Sequence, residues 1–462
     1  MRGGARIAAL LLAAALAGCA LKSPPERQDA VKQALPNLQV PERWAEPAGG
    51  VAGEVAAPWL ASFRDPQLEA LVREAVANNP DLQVAAARVE QAAGFVKSAG
   101  ATLYPQVNLL ARGGGALSGD SSGLEGLGVF ANWELDLWGR VRAGRASAST
   151  QYDSAALDAE YARQSLAAFV AKSWFLAVEA RMQKALAEEM AAAAQRQIDL
   201  AQDRLRVGRG DQNDLTLARA SYAGYRDSVR QLEFSYRQAL RGLEALAGRY
   251  PAAALEVPAR LAEMPGPVPV GMPSELLERR PDVIAAERRI AAAFYRTEEA
   301  KAARLPRISL TAAVTSISSE LFVLQDRDNP VWSAGASISA PLFLGGQLQS
   351  QVEIRTAEQK QAIADYGRVG ARAFGEVESA LSAGFTLEER EAILKEAVDE
   401  NARALEFANV RYRVGPGDLR AVQQQALALQ AARTALLRVQ AERLVQRVNL
   451  HLALGGSFEP RQ

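Results

Sequence analysis

The chain has 462 residues, carries 53 Lys+Arg against 53 Asp+Glu, and contains one His and one Cys. A balanced charge offers no basic surplus for a nucleic-acid backbone, so no nucleic-acid partner is expected. One His and one Cys exclude a zinc site built from those residues and any internal disulfide, leaving only a carboxylate metal site open on composition.

The first residues read as a secretory signal. Arg2 and Arg6 precede the apolar run Ile7 to Ala17, which is too short to span a membrane permanently. Leu16-Ala17-Gly18-Cys19 resembles the bacterial lipobox, in which the chain is cut before the cysteine and the thiol is acylated. That resemblance implies a lipoprotein signal peptide over 1–18 and a palmitate-type lipid on Cys19. Ala20, in place of Asp, favours outer-membrane delivery in such signals. An ordinary signal peptide with an incidental cysteine is the plainer alternative. Residues 19–63, rich in proline, read as an extended, lipid-anchored segment. No later run of about 18 apolar residues makes a transmembrane helix.

The rest of the chain is written twice. Asn79-Pro80-Asp81-Leu82 returns as Arg280-Pro281-Asp282-Val283, Tyr104-Pro105 as Leu305-Pro306, and Leu205-Arg206-Val207-Gly208 as Tyr412-Arg413-Val414-Gly415, each about 200 positions later. The copies span 64–249 and 273–456, joined by a Pro-rich connector over 250–272 and followed by a tail over 457–462. Each reads as helix, two strands, very long helix, turn, long helix.

The leading helices, 82–103 and 282–303, stop at Tyr104-Pro105 and Leu305-Pro306, because a residue before proline is pushed out of the α region. The hydrophobic period then changes from about 3.6 to about 2, placing strands at about 105–112, 126–138, 306–317 and 331–344. Val129, Ala131, Trp133 and Leu135 alternate with Asn132, Glu134 and Asp136; Trp332, Ala334, Ala336 and Ile338 alternate with Ser333, Gly335 and Ser337. Strands of this length suit a tilted membrane span, and a soluble sheet with one wet face shows the same alternation.

Residues 141–207 and 346–414 contain no proline and few glycines, and read as helices of about 67 residues, or about 100 Å. The return helices, 211–248 and 418–454, carry stripes such as Leu215, Ala218, Tyr222, Tyr225, Val229 and Leu232, which is coiled-coil-like core and carries no chemistry. A return helix and a leading helix together match one long helix, so stacked shorter helices are expected beside it. Four strands cannot close a membrane barrel, which takes at least about eight. Open sheet edges are not tolerated in hydrocarbon, so strands in a membrane would have to be pooled by two, three or more chains.

Trp133-Glu134-Leu135-Asp136-Leu137-Trp138-Gly139-Arg140, Leu277-Glu278-Arg279-Arg280-Pro281-Asp282 and Pro341-Leu342-Phe343-Leu344-Gly345-Gly346 resemble, in order, the marks of the TolC family of outer-membrane efflux proteins, nearest its OprM- and NodT-like lipoprotein branch. The resemblance covers residues 19 to about 456. It implies a mostly α fold with a membrane β-barrel, each repeat giving two barrel strands plus long coiled-coil-like helices, the whole tube completed by trimerisation. It also implies a periplasmic adaptor, an inner-membrane pump of the resistance-nodulation-division type, an outer-membrane lipid anchor, and passive export of drugs or other small molecules without a cofactor.

Passive conduction needs a gate, expected at the periplasmic helix tips. Asp211, Asp214 and Asp418 lie at or beside the two turns, where rings of acidic side chains favour cations. Asp211 and Asp418 also follow glycine and open helices, which is an N-cap position in its own right. Arg209 and Arg413 are candidate partners for these carboxylates across chains. Where relatives often have Leu-Asp-Ala-Gln after the second turn, this chain has Gln423-Gln424-Gln425-Ala426, so Gln424 stands at a commonly acidic constriction position. Asn132, Glu134 and Asp136 are expected to face the barrel lumen, or Glu134 and Asp136 to brace the strand-to-helix corner with Arg140 or Arg142.

Alternatives of the same fold are a type I secretion duct or a heavy-metal efflux duct. A periplasmic helical scaffold lipoprotein without a pore is a different class. No nucleophile elbow, phosphate loop or metal cluster is legible, so no enzyme is expected.

Overall fold

The structure, a computed structural model, describes residues 21–45, 50–51, 58–112, 125–318, 331–415 and 418–459. The expected signal peptide and Cys19 lie outside them. In chain order the principal elements, short pieces of up to four residues aside, are α1 (Arg27–Ala34), α2 (Pro66–Asn78), α3 (Pro80–Ala101), β1 (Gln106–Arg112), β2 (Glu125–Leu135), α4 (Arg140–Arg206), α5 (Gln212–Leu246), α6 (Pro281–Ala302), β3 (Arg307–Ser318), β4 (Val331–Ser339), α7 (Gln347–Val414) and α8 (Leu419–Ala453). Pro80 and Pro281 open α3 and α6 rather than preceding them, since the first helical position needs no N–H. Two compact units result. One comprises 86–158 and 282–370 with the N-terminal segment up to Leu38; the other comprises 39–85, 159–281 and 371–462. No described helix is long and apolar enough to cross a membrane.

The first unit holds an antiparallel sheet in the order β1-β2-β3-β4. Its register aligns the apolar alternation of all four strands. Leu109 opposes Val129, which opposes Val314, which opposes Trp332; Trp133, Leu310 and Ala336 form another such row. The other face runs through Gln106, Asn132, Thr311 and Gly335, and through Glu134, Ser309 and Ser337. Strand β2 ends at Leu135, short of the expected 138, because Asp136 leaves the ladder to serve the helix that follows. Strand β4 ends at Ser339, short of 344, because Pro341 cannot donate to a ladder. Near the N-terminus, the expected extended segment includes α1, since Glu26 to Leu35 carries no proline or glycine. It is pinned to α6 by Arg27 to Glu287 at 2.7 Å and Lys22 to Glu298 at 3.1 Å.

The second unit holds an apolar core of Trp59, Phe63, Leu68, Trp174, Phe175, Leu243 and Val448. Burial of such side chains stabilises by about 1.5–3 kcal/mol each. Two carboxylates serve this core structurally. Asp65 accepts from Trp174 Nε1 at 2.8 Å and from the backbone N–H groups that open α2. Glu244, buried at the end of α5, accepts the N–H groups of Ala253, Ala254 and Leu255; burial alone would raise its carboxyl, and these bonds hold it lowered. The single histidine, His451, is buried and stacked on Trp59 with ring centroids 5.7 Å apart.

Candidate functional site

The first helical turn closes with a glycine-terminated cap. Gly208 adopts φ 74°, a left-handed conformation that costs a residue with a Cβ. Its N–H donates to the Leu205 carbonyl at 3.1 Å while the Arg209 N–H reaches back to Arg204 at 2.8 Å, satisfying carbonyls that α4 leaves open. Gly210 follows with the Leu205 nitrogen only 2.6 Å from where a Cβ would sit, so the chain can reverse this tightly only with glycine there. Asp211 then caps α5, accepting from the Asn213 N–H at 3.1 Å, and Asp418 caps α8, accepting from the Arg420 N–H at 2.9 Å.

Asp214 does something else. Its Oδ2 accepts from the Tyr412 hydroxyl at 3.2 Å, a bond from the last turn of α7 to the first turn of α5. Tyr412 is buried, and the Arg204 guanidinium lies over its ring at 4.4 Å from the centroid. The same guanidinium donates to the Tyr412 carbonyl and, at 3.3 Å, to that of Arg209. Burial, then the neighbouring Asp214 charge, pushes the Tyr412 phenol up to about 12. Asp211, Asp418, Arg209, Arg413 and Gln424 are exposed around this link. Among the described residues, no hydrogen bond or ion pair joins Arg209 or Arg413 to Asp211, Asp214 or Asp418 within the chain. Sequence reasoning passed over Tyr412 and Arg204. The available signal was the difference between the copies, since Tyr412 stands where the first repeat has Leu205.

In the first unit, the strand-to-helix corner is built from the charged residues at the end of β2. Arg140 makes two bonds to Glu134, at 3.0 and 2.8 Å, and these raise its pKa. Asp136 accepts from the N–H groups of Val141 at 3.0 Å and Arg142 at 2.8 Å, placing negative charge at the start of α4. Trp138 Nε1 donates to the Pro306 carbonyl at 2.7 Å and Trp133 Nε1 to that of Leu103 at 2.9 Å, tying the corner to both repeats. Asn132 lies one row further along, level with Gln106 and Thr311.

Residues 71–249 and 272–456 match the family model described as outer membrane efflux protein. The chain is 29% identical to the pyoverdine export outer membrane protein OpmQ of Pseudomonas putida, covering 97% of each. It is 29% identical to the cation efflux system protein CusC of Escherichia coli O6:H1, covering 97% of this chain and 98% of that one. The solved open state of the MtrE outer membrane channel of Neisseria gonorrhoeae superposes with a TM-score of 0.78 at 26% identity, over 91% of this chain and 98% of that one. The four-stranded sheet and both helical turns fall inside the matched ranges, and the chain belongs to the outer membrane efflux protein family.

Proposed function

We infer that this chain works as the outer-membrane channel of a tripartite efflux system, a passive conduit and not an enzyme. Channels of this kind are trimers that pair with a periplasmic adaptor and an inner-membrane pump of the resistance-nodulation-division type. The observation that carries the reading is the sheet, with one apolar face in register across four strands and two open edges, at β1 and β4. An open edge in hydrocarbon leaves backbone groups unpaired at a cost of several kcal/mol each, so other copies must supply the missing partners. Helix α3 has the same need, having no buried residue in one chain and exposing Val84 and Phe95.

The gate belongs to the helical turns. The bond from Tyr412 to Asp214, held beneath Arg204, supports a closed state in which α7 and α5 are clamped together. Asp211, Asp418, Arg209, Arg413 and Gln424 line the opening around that clamp. Glu134, Asp136 and Arg140 brace the corner between barrel strand and helix, with Asn132 facing the lumen, and a lipid on Cys19 tethers the chain to the outer membrane. Cargo is a drug or other small molecule. Purified full-length protein should run as heat-modifiable trimers and give discrete currents in planar bilayers. A soluble monomer without current would overturn the reading.

A further inference from the structure

We propose that the periplasmic mouth of this channel favours anions, and that its cargo is a small solute of net negative charge, carboxylate- or phosphate-bearing; this rests on the channel reading above. Residues 203–220 and 409–424, which contain both turns, hold seven arginines against four aspartates and no Lys or Glu. Widening the windows to 195–222 and 400–433 keeps the excess, at ten arginines against seven carboxylates. The four aspartates are all engaged. Asp203 pairs with Arg206 at 2.8 Å, Asp214 accepts from Tyr412 at 3.2 Å, and Asp211 and Asp418 cap their helices.

Arginines lie at the surface, as Asp211 and Asp418 do. Arg209, Arg411, Arg413 and Arg420 are all exposed, and Gln423-Gln424-Gln425 contributes no charge beside them. A trimer multiplies the excess threefold around one opening. Rings of basic side chains select anions, and a cleft of one sign concentrates solutes of the other. The aspartates keep their charge in these bonds, so the acidic ring that the turns suggest in sequence is present but outnumbered seven to four by arginine, and the mouth carries a net positive charge. Among the described residues, the polar face of the sheet is mostly uncharged. It presents Gln106, Asn132, Thr311, Ser309 and Ser337, and its carboxylate Glu134 is bonded to Arg140.

The test is the reversal potential of the full-length trimer in planar bilayers of neutral lipid under a KCl gradient, with the tip opened by Tyr412→Phe. The expected potential lies on the chloride side. Replacing Arg209, Arg411 and Arg413 together by Gln should lower the chloride-to-potassium permeability ratio to unity or below. Selectivity should also fade as salt rises, since the screening length is about 10 Å at about 0.1 M. A potential on the potassium side would overturn the proposal without the triple variant, whether or not that variant assembles. An unchanged ratio in an assembled triple variant would also overturn it, and would assign the arginines to docking an acidic partner. Absence of any current would overturn the channel reading and the inference with it.

Discussion

The Tyr412 hydroxyl donates to Asp214 at 3.2 Å, joining the end of α7 to the start of α5 across 198 positions of sequence. Only the second repeat carries the tyrosine, so the two copies, alike in fold, divide the labour at the tip. One supplies a buried donor and the other the acceptor. Because Tyr412 sits at about 12, it keeps its proton, and therefore its donor, throughout the physiological range.

Tyr412→Phe removes this donor and keeps the ring that packs under Arg204. A hydrogen bond to a charged group contributes about 1.5–3 kcal/mol, so each chain's clamp should weaken by roughly one to two powers of ten. Open probability of single channels should rise accordingly; assembled variant trimers with wild-type open probability would refute the clamp. The pH dependence follows from a pKa raised from 10.0 to about 12. The contribution is complete below 10.0 and is lost as pH rises through about 12. Between pH 5 and 8, chosen as the test range, the clamp should not respond to the titration of Tyr412.

Asp211→Ala combined with Asp418→Ala removes both caps, at a cost of about 0.5–2 kcal/mol each. The expected results are faster amide exchange in the first turns of α5 and α8 and higher single-channel conductance. If conductance stays at the wild-type level in a properly assembled trimer, the two aspartates are caps alone.

Asp136→Ala leaves the N–H groups of Val141 and Arg142 without their carboxylate and should destabilise the start of α4 by about 1–2 kcal/mol. Thermal unfolding of the trimer in detergent should register the loss, with Asp136→Asn falling between the two. Equal stability of Asp136→Ala and wild type would contradict a bracing role for this corner.

His451 is buried against Trp59, and neither ring nitrogen has a hydrogen-bond partner among the described residues. Burial, and then the charge of Arg447, lowers its pKa from 6.5 to about 3. The unfolded chain therefore binds the proton more readily, and stability falls as pH drops below 6.5 toward 3. His451→Phe retains an aromatic ring against Trp59 and should flatten the stability profile across that window. An unaltered acid slope would place the acid sensitivity elsewhere.

What was legible in the sequence was local stereochemistry and period. Pro105 and Pro306 mark where helix gives way to strand, and the alternation of Val129, Ala131 and Trp133 predicts the apolar face that the register aligns. Glycine followed by aspartate at Gly210-Asp211 and Gly417-Asp418 predicts a capped helix start. Three features were not legible for one shared reason, that their partners are remote in sequence. Tyr412 meets Asp214, His451 meets Trp59, and the N-terminal segment that carries α1 is held by Glu287 and Glu298. No local pattern encodes such pairs, although the exchange of Leu205 for Tyr412 between the repeats marked where to look.

The central claim is that copies of this chain close one another's sheet, and the open edges offer the most direct measurement. Cysteines placed at Asn108 on β1 and Ser333 on β4 lie in one row of the sheet, through Phe130 and Ala313, so two strands intervene within a chain, a gap of about 14 Å. A cross-linker too short for that gap, applied to outer membranes containing the full-length double variant, can join only different chains. The account predicts a ladder that ends at the trimer, with neither single variant forming it. Monomer alone, or a ladder continuing past the trimer, would contradict it.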